Sequence, residues 1–294
     1  MFNWLRSFHF ALKDRNLHFF LYGSILVLGG LLIRQIYFVK PVDLYQEALL
    51  SKISQFDLEQ SLQQVPETIK PDSIKVPILI YHSVRPHSSG ETAMQLHYEV
   101  APDAFESQLK YLRDNGYTVI SLEYLVESLS DNITLPPKSI VITFDDGWKN
   151  QYGYAFPLLK KYADTATFFI TSDYVGGGYF LTWDQIRVMD NSGMTIGGHT
   201  RTHPYLVSVK DPAVLKNEIT GSKLLIEKQI GHSIDLFAYP YGHYNDTVIQ
   251  AVKDAGFRSA RSTYKGVFHT SADLYTLKGL EVTDDMKAFA SSIQ

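Results

Sequence analysis

Two adjacent carboxylates at the end of an apolar run are the first residues whose type and placement could do chemistry. The run Ser139–Phe144 is rich in β-branched residues and is followed by Asp145, Asp146 and Gly147. Such a run is typical of a buried strand that delivers its acids to the open end of a sheet. Because neighbouring side chains of a strand point to opposite faces and Gly147 permits a turn, one aspartate can bind a metal while the other acts as a base. A solvated hairpin turn is the alternative for this motif alone.

A pair of histidines adds ligand chemistry. His199 and His203 stand four residues apart, directly after Gly197 and Gly198. Two neutral imidazoles and one carboxylate, for which Asp146 is the obvious candidate, leave positions on Zn²⁺ or a similar ion for water and substrate. A histidine pair with this spacing can be incidental, but its combination with the strand-end aspartates favours a metal site.

Hydrolysis at such a site also needs a base and an acid. Asp145, beside the ligand Asp146 but not bound to the metal, is a candidate general base. His82 follows the apolar run Ile78–Tyr81 and is a candidate general acid, because imidazole can hold and release a proton near neutral pH. A strand-end histidine that hydrogen-bonds a carbonyl is the alternative for His82.

Aromatic residues are expected beside these groups. Tyr239, Pro240, Tyr241 and Gly242 follow a later apolar run, and Trp148 comes soon after the aspartates. We expect Tyr239, Pro240, Tyr241 and Trp148 to contact the substrate. The three aromatic residues can form an open surface that stacks on a sugar, or the backbone of the turn can donate a hydrogen bond to an oxyanion. A plain tight turn is the alternative.

Apolar segments alternate with amphipathic ones from Val76 onward. The candidate strands are Val76–Tyr81, Tyr117–Ser121, Ser139–Phe144, Ala166–Thr171, Met194–Gly198, Asp235–Ala238, Arg258–Arg261 and Leu277–Val282. The candidate helices are Pro102–Asn115, Leu122–Leu129, Gln151–Tyr162, Trp183–Asn191, Pro212–Gln229 and Asp246–Ala255. This alternation predicts an α/β fold with a parallel sheet closed as a barrel. In such folds chemistry takes place at the C-terminal ends of the strands, where the candidate residues lie.

The N-terminal part of the chain differs from the rest. Leu17–Val39 is almost entirely apolar and is long enough to span a membrane if Arg34 reaches the interface. Arg6, Lys13 and Arg15 precede it, and this bias favours a cytoplasmic N-terminus.

Three regions follow from this pattern. We expect residues 1–40 to hold a cytoplasmic segment and an uncleaved signal-anchor helix, residues 41–75 a stalk, and residues 76–294 a catalytic domain outside the cytoplasm. The prediction is a single-pass protein of the cell membrane. The alternative for the anchor is a buried helix of a soluble domain. The alternative for the stalk is a first helix that packs on the catalytic domain.

Charge and cysteine content exclude several classes of function. The formal net charge is -4, and the basic residues are scattered, so we expect no nucleic-acid partner. The chain has no cysteine, which excludes disulfides, thiolate metal sites and a cysteine nucleophile. Any transition-metal site must therefore use His, Asp or Glu.

The order and spacing of the motifs resemble a known family. Thr143–Gly147, His199–His203 and Pro240–Gly242 are similar to the first three motifs of the polysaccharide deacetylases, which are the NodB-homology or family-four carbohydrate esterases. Ile78–Val84 resembles the start of the branch that deacetylates poly-N-acetylglucosamine. The similarity covers most of Val76–Val282.

The resemblance implies a distorted (β/α) barrel and hydrolysis of N-acetyl groups on a glycan. It implies a divalent metal on Asp146, His199 and His203, with Asp145 as the base. Zn²⁺ is the first candidate, and Co²⁺, Ni²⁺ or Fe²⁺ can occupy a site of this kind.

The chain departs from the family pattern in two places. The stretch Phe237–Tyr239 lacks the arginine that many members carry before Pro-Tyr-Gly to orient the base, and Leu277–Val282 lacks the late acid histidine. In the poly-N-acetylglucosamine branch the acid histidine comes from the early Tyr-His segment, which makes His82 the natural substitute. By similarity, Trp183 and Asp184 are a supporting pair for His82.

These features predict a metal-dependent N-deacetylase acting on an extracellular or cell-wall polysaccharide, most readily poly-N-acetylglucosamine. The expected partners are the polysaccharide, the membrane and machinery for polysaccharide synthesis or export. The alternatives are an O-acetyl esterase, a deacetylase of peptidoglycan or chitin oligomers, and a non-catalytic glycan-binding or assembly subunit.

Overall fold

The structure is a computed structural model that describes residues 73–294. The expected anchor helix in 1–40 and nearly all of the expected stalk in 41–75 lie outside the described residues. Among residues 73–294, no helix has both the length and the apolar character needed to cross a membrane.

Short strands and helices alternate through the described residues. The strands are β1 (Ile74–Lys75), β2 (Ile78–Tyr81), β3 (Ser83–Val84), β4 (Glu99–Val100), β5 (Thr118–Ile120), β6 (Ser139–Phe144), β7 (Thr167–Ile170), β8 (Thr195–Gly198), β9 (Leu236–Ala238), β10 (Ser259–Lys265), β11 (Phe268–His269) and β12 (Leu277–Glu281). The helices are α1 (Ala93–Tyr98), α2 (Pro102–Asp114), α3 (Leu122–Asp131), α4 (Phe156–Tyr162), α5 (Trp183–Asp190), α6 (Pro212–Lys216), α7 (Ser222–Ile230), α8 (Asp246–Asp254) and α9 (Met286–Ser292).

Seven parallel strands close into a ring in the order β2, β12, β10, β9, β8, β7, β6 and back to β2. The barrel is distorted at β6. Residues 139–141 of β6 pair with β5, which lies outside the ring, and Thr143 and Phe144 pair with β7. The predicted parallel (β/α) barrel is thus confirmed.

Burial explains why the barrel strands could be recognised. Every residue of β2, β6 and β7 is buried. Strands of a parallel sheet that are covered on both faces read as continuous apolar runs, which is the pattern of these three segments. All eight predicted strands are present, with ends that shift by at most two residues except in β10, which continues to Lys265.

The predicted helices are also present, but one of them begins with a π-helical turn and another is interrupted by one. Gln151–Ala155 precedes α4, and Asn217–Gly221 joins α6 to α7. The helices α1 and α9 and the short pairs β1 with β11 and β3 with β4 were not predicted. Elements this short carry too little periodicity to be distinguished from loops.

The glycines of β8 allow tight packing beneath the histidine motif. A Cβ atom on Gly197 would lie 2.5 Å from the ring of Phe169, and one on Gly198 would lie 2.9 Å from the ring of Phe257. The aromatic core therefore reaches the backbone of β8 directly, and this packing sets the position at which His199 leaves the strand.

Candidate active site and metal centre

The three predicted metal ligands meet at the C-terminal end of the barrel. Asp146 follows β6, whereas His199 and His203 follow β8. Asp146 Oδ1 lies 3.5 Å from Nε2 of His199 and 3.3 Å from Nε2 of His203. The two Nε2 atoms are 3.2 Å apart. All three ligand atoms therefore lie close enough to share one ion.

Hydrogen bonds at the far side of each group direct the ligand atoms inward. Nδ1 of His199 lies 2.7 Å from the carbonyl oxygen of Ala238, which can only accept a hydrogen bond. Nδ1 must therefore carry the proton, and Nε2 is left with its lone pair facing Asp146. The indole Nε1–H of Trp148 donates to Asp146 Oδ2 at 2.9 Å, which leaves Oδ1 for the histidines.

The protonation states suit a cation. Burial lowers the pKa of His203, which favours the neutral imidazole that a metal requires. Burial raises the pKa of Asp146, but the polar contacts of its carboxylate with the two imidazoles of His199 and His203 outweigh burial and hold that pKa well below its usual range. One carboxylate oxygen and two imidazole nitrogens form a donor set that fits a divalent transition metal.

Asp145 occupies a separate position from the ligands. Its side chain points to a different face from that of Asp146, because the chain turns at Asp146, which has a left-handed φ of 71° and lies inside the hydrogen bond from the Gly147 N–H to the Asp145 carbonyl oxygen at 2.9 Å. The residue is only 2% exposed. Its Oδ2 atom lies 3.9 Å from Nε2 of His82. Asp145 and His82 therefore border the same space next to the ligand cluster.

A buried glutamine ties these two strand ends together. Nε2 of Gln151 donates to the carbonyl oxygen of Asp145 at 2.6 Å and to that of His82 at 2.8 Å. Gln151 belongs to the π turn before α4, so this turn sets the distance between the ends of β2 and β6.

Arg261 is a site residue that the sequence pattern did not reveal. It lies on β10, is 0% exposed, and its guanidinium hydrogen-bonds Asp145 Oδ1. Arg261 pairs in register with Ala238 of β9. The arginine missing before Pro240 is thus supplied by the neighbouring strand. The only feature of the sequence that could have indicated Arg261 is the presence of a charged residue at the end of a predicted strand.

The pKa of Asp145 reflects two opposed influences. Burial raises it, while the positive charge of Arg261, followed by His199 and His82, lowers it, and the result lies below the usual value. Asp145 is therefore ionised at neutral pH despite its burial, as a base must be.

We expect Arg261→Met to lower kcat/KM by about 10²-fold, the scale on which a misplaced catalytic group costs rate. It should also move the acid limb of the pH profile upward. Without the guanidinium, burial raises the pKa of Asp145, so the carboxylate becomes protonated at a higher pH as the pH falls. A pH series of kcat/KM measures both effects. Arg258→Met, at a partly exposed arginine 3.7 Å from Asp235, is the matched control and should leave the profile unchanged.

The predicted aromatic surface is only partly present. Tyr241 is half-buried, and its ring lies 4.7 Å from that of His203. Trp148 is also half-buried and stacks on Phe180 at 4.7 Å. These residues border the ligand cluster as expected.

The prediction that Tyr239 and Pro240 contact a sugar is wrong. Tyr239 is 0% exposed and its hydroxyl donates to the carbonyl oxygen of Tyr275 at 3.0 Å, so its ring belongs to the core. Pro240 is buried as well. Tyr239 follows directly after β9 and packs in the core, whereas Tyr241 has a left-handed backbone with a φ of 59° and its half-buried ring lies beside His203.

The predicted support of His82 by Asp184 is also wrong, whereas the support predicted for Trp183 stays a prediction. The Asp184 side chain is 90% exposed and pairs with Arg187 at 2.5 Å on the outer face of α5. Trp183 packs against the main hydrophobic core. The ring of Tyr98, in α1, lies 4.9 Å from that of His82 and is the neighbour that prediction missed.

Comparison with known proteins agrees with this geometry. Residues 132–260 match the family model described as polysaccharide deacetylase. The protein YxkH of Bacillus subtilis (strain 168), whose name assigns it to the polysaccharide deacetylases, is 31% identical over 216 residues, which cover 74% of each chain. The poly-beta-1,6-N-acetyl-D-glucosamine N-deacetylase of Staphylococcus aureus (strain NCTC 8325 / PS 47) is 28% identical over 64% of this chain and 69% of that protein.

A solved structure shows the same architecture. The Streptococcus pyogenes deacetylase PplD in complex with acetate superposes with a TM-score of 0.70 and 30% identity, covering 76% of this chain and 99% of PplD. The chain belongs to the polysaccharide deacetylase family and is a hydrolase of that family.

Proposed function

We propose that this protein is a metal-dependent N-deacetylase that removes acetyl groups from N-acetylglucosamine units of a polysaccharide. The observation that carries the proposal is the division of labour between two adjacent aspartates. Asp146 faces the two histidines, while Asp145 is held apart by Arg261. A site that only binds glycan gains nothing from a buried, ionised carboxylate that is free of the ligand cluster.

Asp146, His199 and His203 would hold the divalent metal, with Zn²⁺ as the first candidate and Co²⁺, Ni²⁺ or Fe²⁺ as substitutes. When bound, such an ion supplies Lewis acidity at the acyl oxygen and lowers the pKa of water in the site. The residues around it direct the proton transfers.

Asp145 accepts a proton from water as the water oxygen bonds to the carbonyl carbon of the acetamide. The backbone N–H of Tyr241 would donate a hydrogen bond to the acyl oxygen. The C–N bond then breaks, and His82 donates a proton to the departing nitrogen. The products are acetate and a free amine. His82 Nε2 and Asp145 Oδ2 lie 3.9 Å apart, so one reacting group that approaches from the side can contact both the acid and the base.

Two features support a glycan as the substrate. Tyr241 and Trp148 border the cluster with half-buried aromatic rings, which suit stacking on a sugar face. A related enzyme is named for poly-beta-1,6-N-acetyl-D-glucosamine, and PplD was solved with acetate, the acid that deacetylation releases. We therefore favour poly-N-acetylglucosamine as the polymer.

The proposed setting is the outer face of the cell membrane, with the chain anchored once through residues 17–39. It rests on the uncharged run Phe19–Ile33 and the basic residues before it. Machinery for polysaccharide synthesis or export would be the natural neighbour of an enzyme in that place.

The test is acetate release from an N-acetylglucosamine oligomer. The purified full chain is kept in detergent, stripped of metal and titrated with Zn²⁺ or Co²⁺. Acetate should appear only when metal is added. Release of acetate from an acetylated xylan but not from the amide oligomer would replace the proposal with an O-acetyl esterase. A folded, metal-loaded chain inactive on both, and on peptidoglycan, would favour a glycan-binding role.

A further inference from the structure

The loop that carries the two histidine ligands has a strained backbone. Thr200 and His203 have φ values of 64° and 55°, in the left-handed region. This region is unfavourable for residues with a Cβ atom, and most of all for a β-branched one such as Thr200. Such conformations cost on the order of 1–3 kcal/mol each and persist only where the surroundings hold them.

Glu218 supplies much of that restraint from another element. Its Oε2 atom accepts hydrogen bonds from the backbone N–H of Arg201 at 3.0 Å and of Thr202 at 2.9 Å. Its Oε1 atom accepts the hydroxyl of Thr202 at 2.7 Å. One carboxylate therefore holds the middle of the loop between the two ligands.

This carboxylate is buried and reaches the loop because of the π turn. Glu218 is 7% exposed and lies in Asn217–Gly221, between α6 and α7. Single π turns are rare and occur often at functional sites, because the extra residue changes the direction of the side chains. Ser222, the first residue of α7 after the π turn, donates its hydroxyl to the carbonyl oxygen of Thr200 at 2.9 Å.

Close packing leaves the turn little freedom to move away. A Cβ atom on Gly221 would lie 2.8 Å from Oδ1 of Asn217 and 3.1 Å from Cδ of Arg201. Arg201 is in turn fixed by Asp173, whose carboxylate accepts from the guanidinium at 2.8 Å and 3.0 Å. The π turn and the histidine loop are thus packed as one unit.

We propose that Glu218 is a positioning residue of the metal centre, whose hydrogen bonds to the 201–202 backbone hold His199 and His203 at the spacing that captures the cation. This inference rests on the proposed metal-dependent function. Glu218 does not contact the three ligand side chains in the described structure, so its influence passes through the backbone.

The test compares metal affinity among Glu218 variants of the full chain. Zn²⁺ dissociation constants come from competition with a chromogenic chelator, and the visible spectrum of the Co²⁺ form reports ligand geometry. Glu218→Ala should weaken Zn²⁺ binding by about 10–100-fold, as loss of an outer contact to a metal site typically does, and should alter the Co²⁺ spectrum. Glu218→Gln should remain within about 5-fold of wild type, because its amide oxygen can accept both N–H groups and its NH₂ can donate to the Thr202 hydroxyl.

Two further variants make the result decisive. Glu218→Asp keeps the charge but shortens the side chain, so it should show the same loss of affinity, and it serves if the alanine variant does not fold. Glu227→Ala is the matched control, because Glu227 lies on α7 and accepts the N–H of Ile234 at 3.0 Å away from the histidine loop. It should leave Zn²⁺ affinity unchanged.

The outcomes separate the possible failures. A Glu218→Ala protein with a lower melting temperature but wild-type Zn²⁺ affinity and Co²⁺ spectrum would reduce Glu218 to a structural residue and overturn the inference. A wild-type chain that binds neither Zn²⁺ nor Co²⁺ would overturn the metal centre itself, and the role of Glu218 with it.

Discussion

We expect Asp145→Asn to lower kcat by about 10²–10⁴-fold, the usual contribution of a general base, while the protein still binds metal. The amide has nearly the shape of the carboxylate but cannot accept the proton of the attacking water. Acetate release and Zn²⁺ stoichiometry, measured on the same preparation, check the two halves of this expectation.

The substitution also removes the partner of the buried guanidinium of Arg261. Leaving one member of a buried ion pair alone typically costs about 3–5 kcal/mol of folding free energy, so the melting temperature must be measured. Asp145→Asn combined with Arg261→Met removes both charges, and it should regain stability without regaining activity.

Asp184→Asn is the matched control for Asp145→Asn, because it makes the same chemical change at a side chain that is 90% exposed and paired only with Arg187 among the described contacts. We expect wild-type kcat for this variant. Normal turnover by Asp145→Asn would show that the base is another group.

Substitution of a proposed metal ligand should change metal content as well as activity, unlike substitution of Asp145. We expect His203→Ala to lose metal and activity together, with a fall in Zn²⁺ affinity greater than the ~10²-fold typical of an outer contact. The substitution removes one of the three proposed donor atoms, and Asp146 and His199 alone leave the metal with two protein ligands. Chelator competition and acetate release measure the two losses, and Asp146→Ala should behave in the same way.

His232→Ala is the control for the histidine substitution, because His232 is largely exposed and pairs with Asp190 at 2.9 Å on the surface. It should retain both metal and activity. A His203→Ala variant that kept wild-type Zn²⁺ affinity would remove His203 from the proposed ligand set.

The two experiments together distinguish the adjacent aspartates. If the proposed roles are correct, changes at Asp145 separate activity from metal content, whereas changes at Asp146 or His203 do not. No single inactive variant can make that distinction, because loss of metal and loss of the base both abolish acetate release.

Local sequence was sufficient for the elements that carry their own signal. β6 is a continuous buried apolar run that is followed by two acids. This pattern indicates both the strand and the end of the strand at which the catalytic residues are expected. The spacing of His199 and His203 is likewise a local property of one loop. The alternation of strands and helices then determined that these ends meet at one face of a barrel.

Contacts between distant strands could not be predicted in this way. Arg261 reaches Asp145 across 116 positions of sequence, and nothing near either residue indicates the other. Only the pairing of β9 with β10 places Arg261 beside Ala238, where the arginine of the family pattern was expected.

The sequence by itself therefore determined the fold class, the candidate metal ligands and the candidate base, because each depends on short stretches with a recognisable period or spacing. The tertiary structure alone decided which side chains face the site. Tyr239 packs in the core while Tyr241, with its left-handed backbone, lies at the rim, and the π turn directs Glu218 to the histidine loop. Side-chain direction depends on backbone dihedrals and packing that no local pattern of residue types specifies.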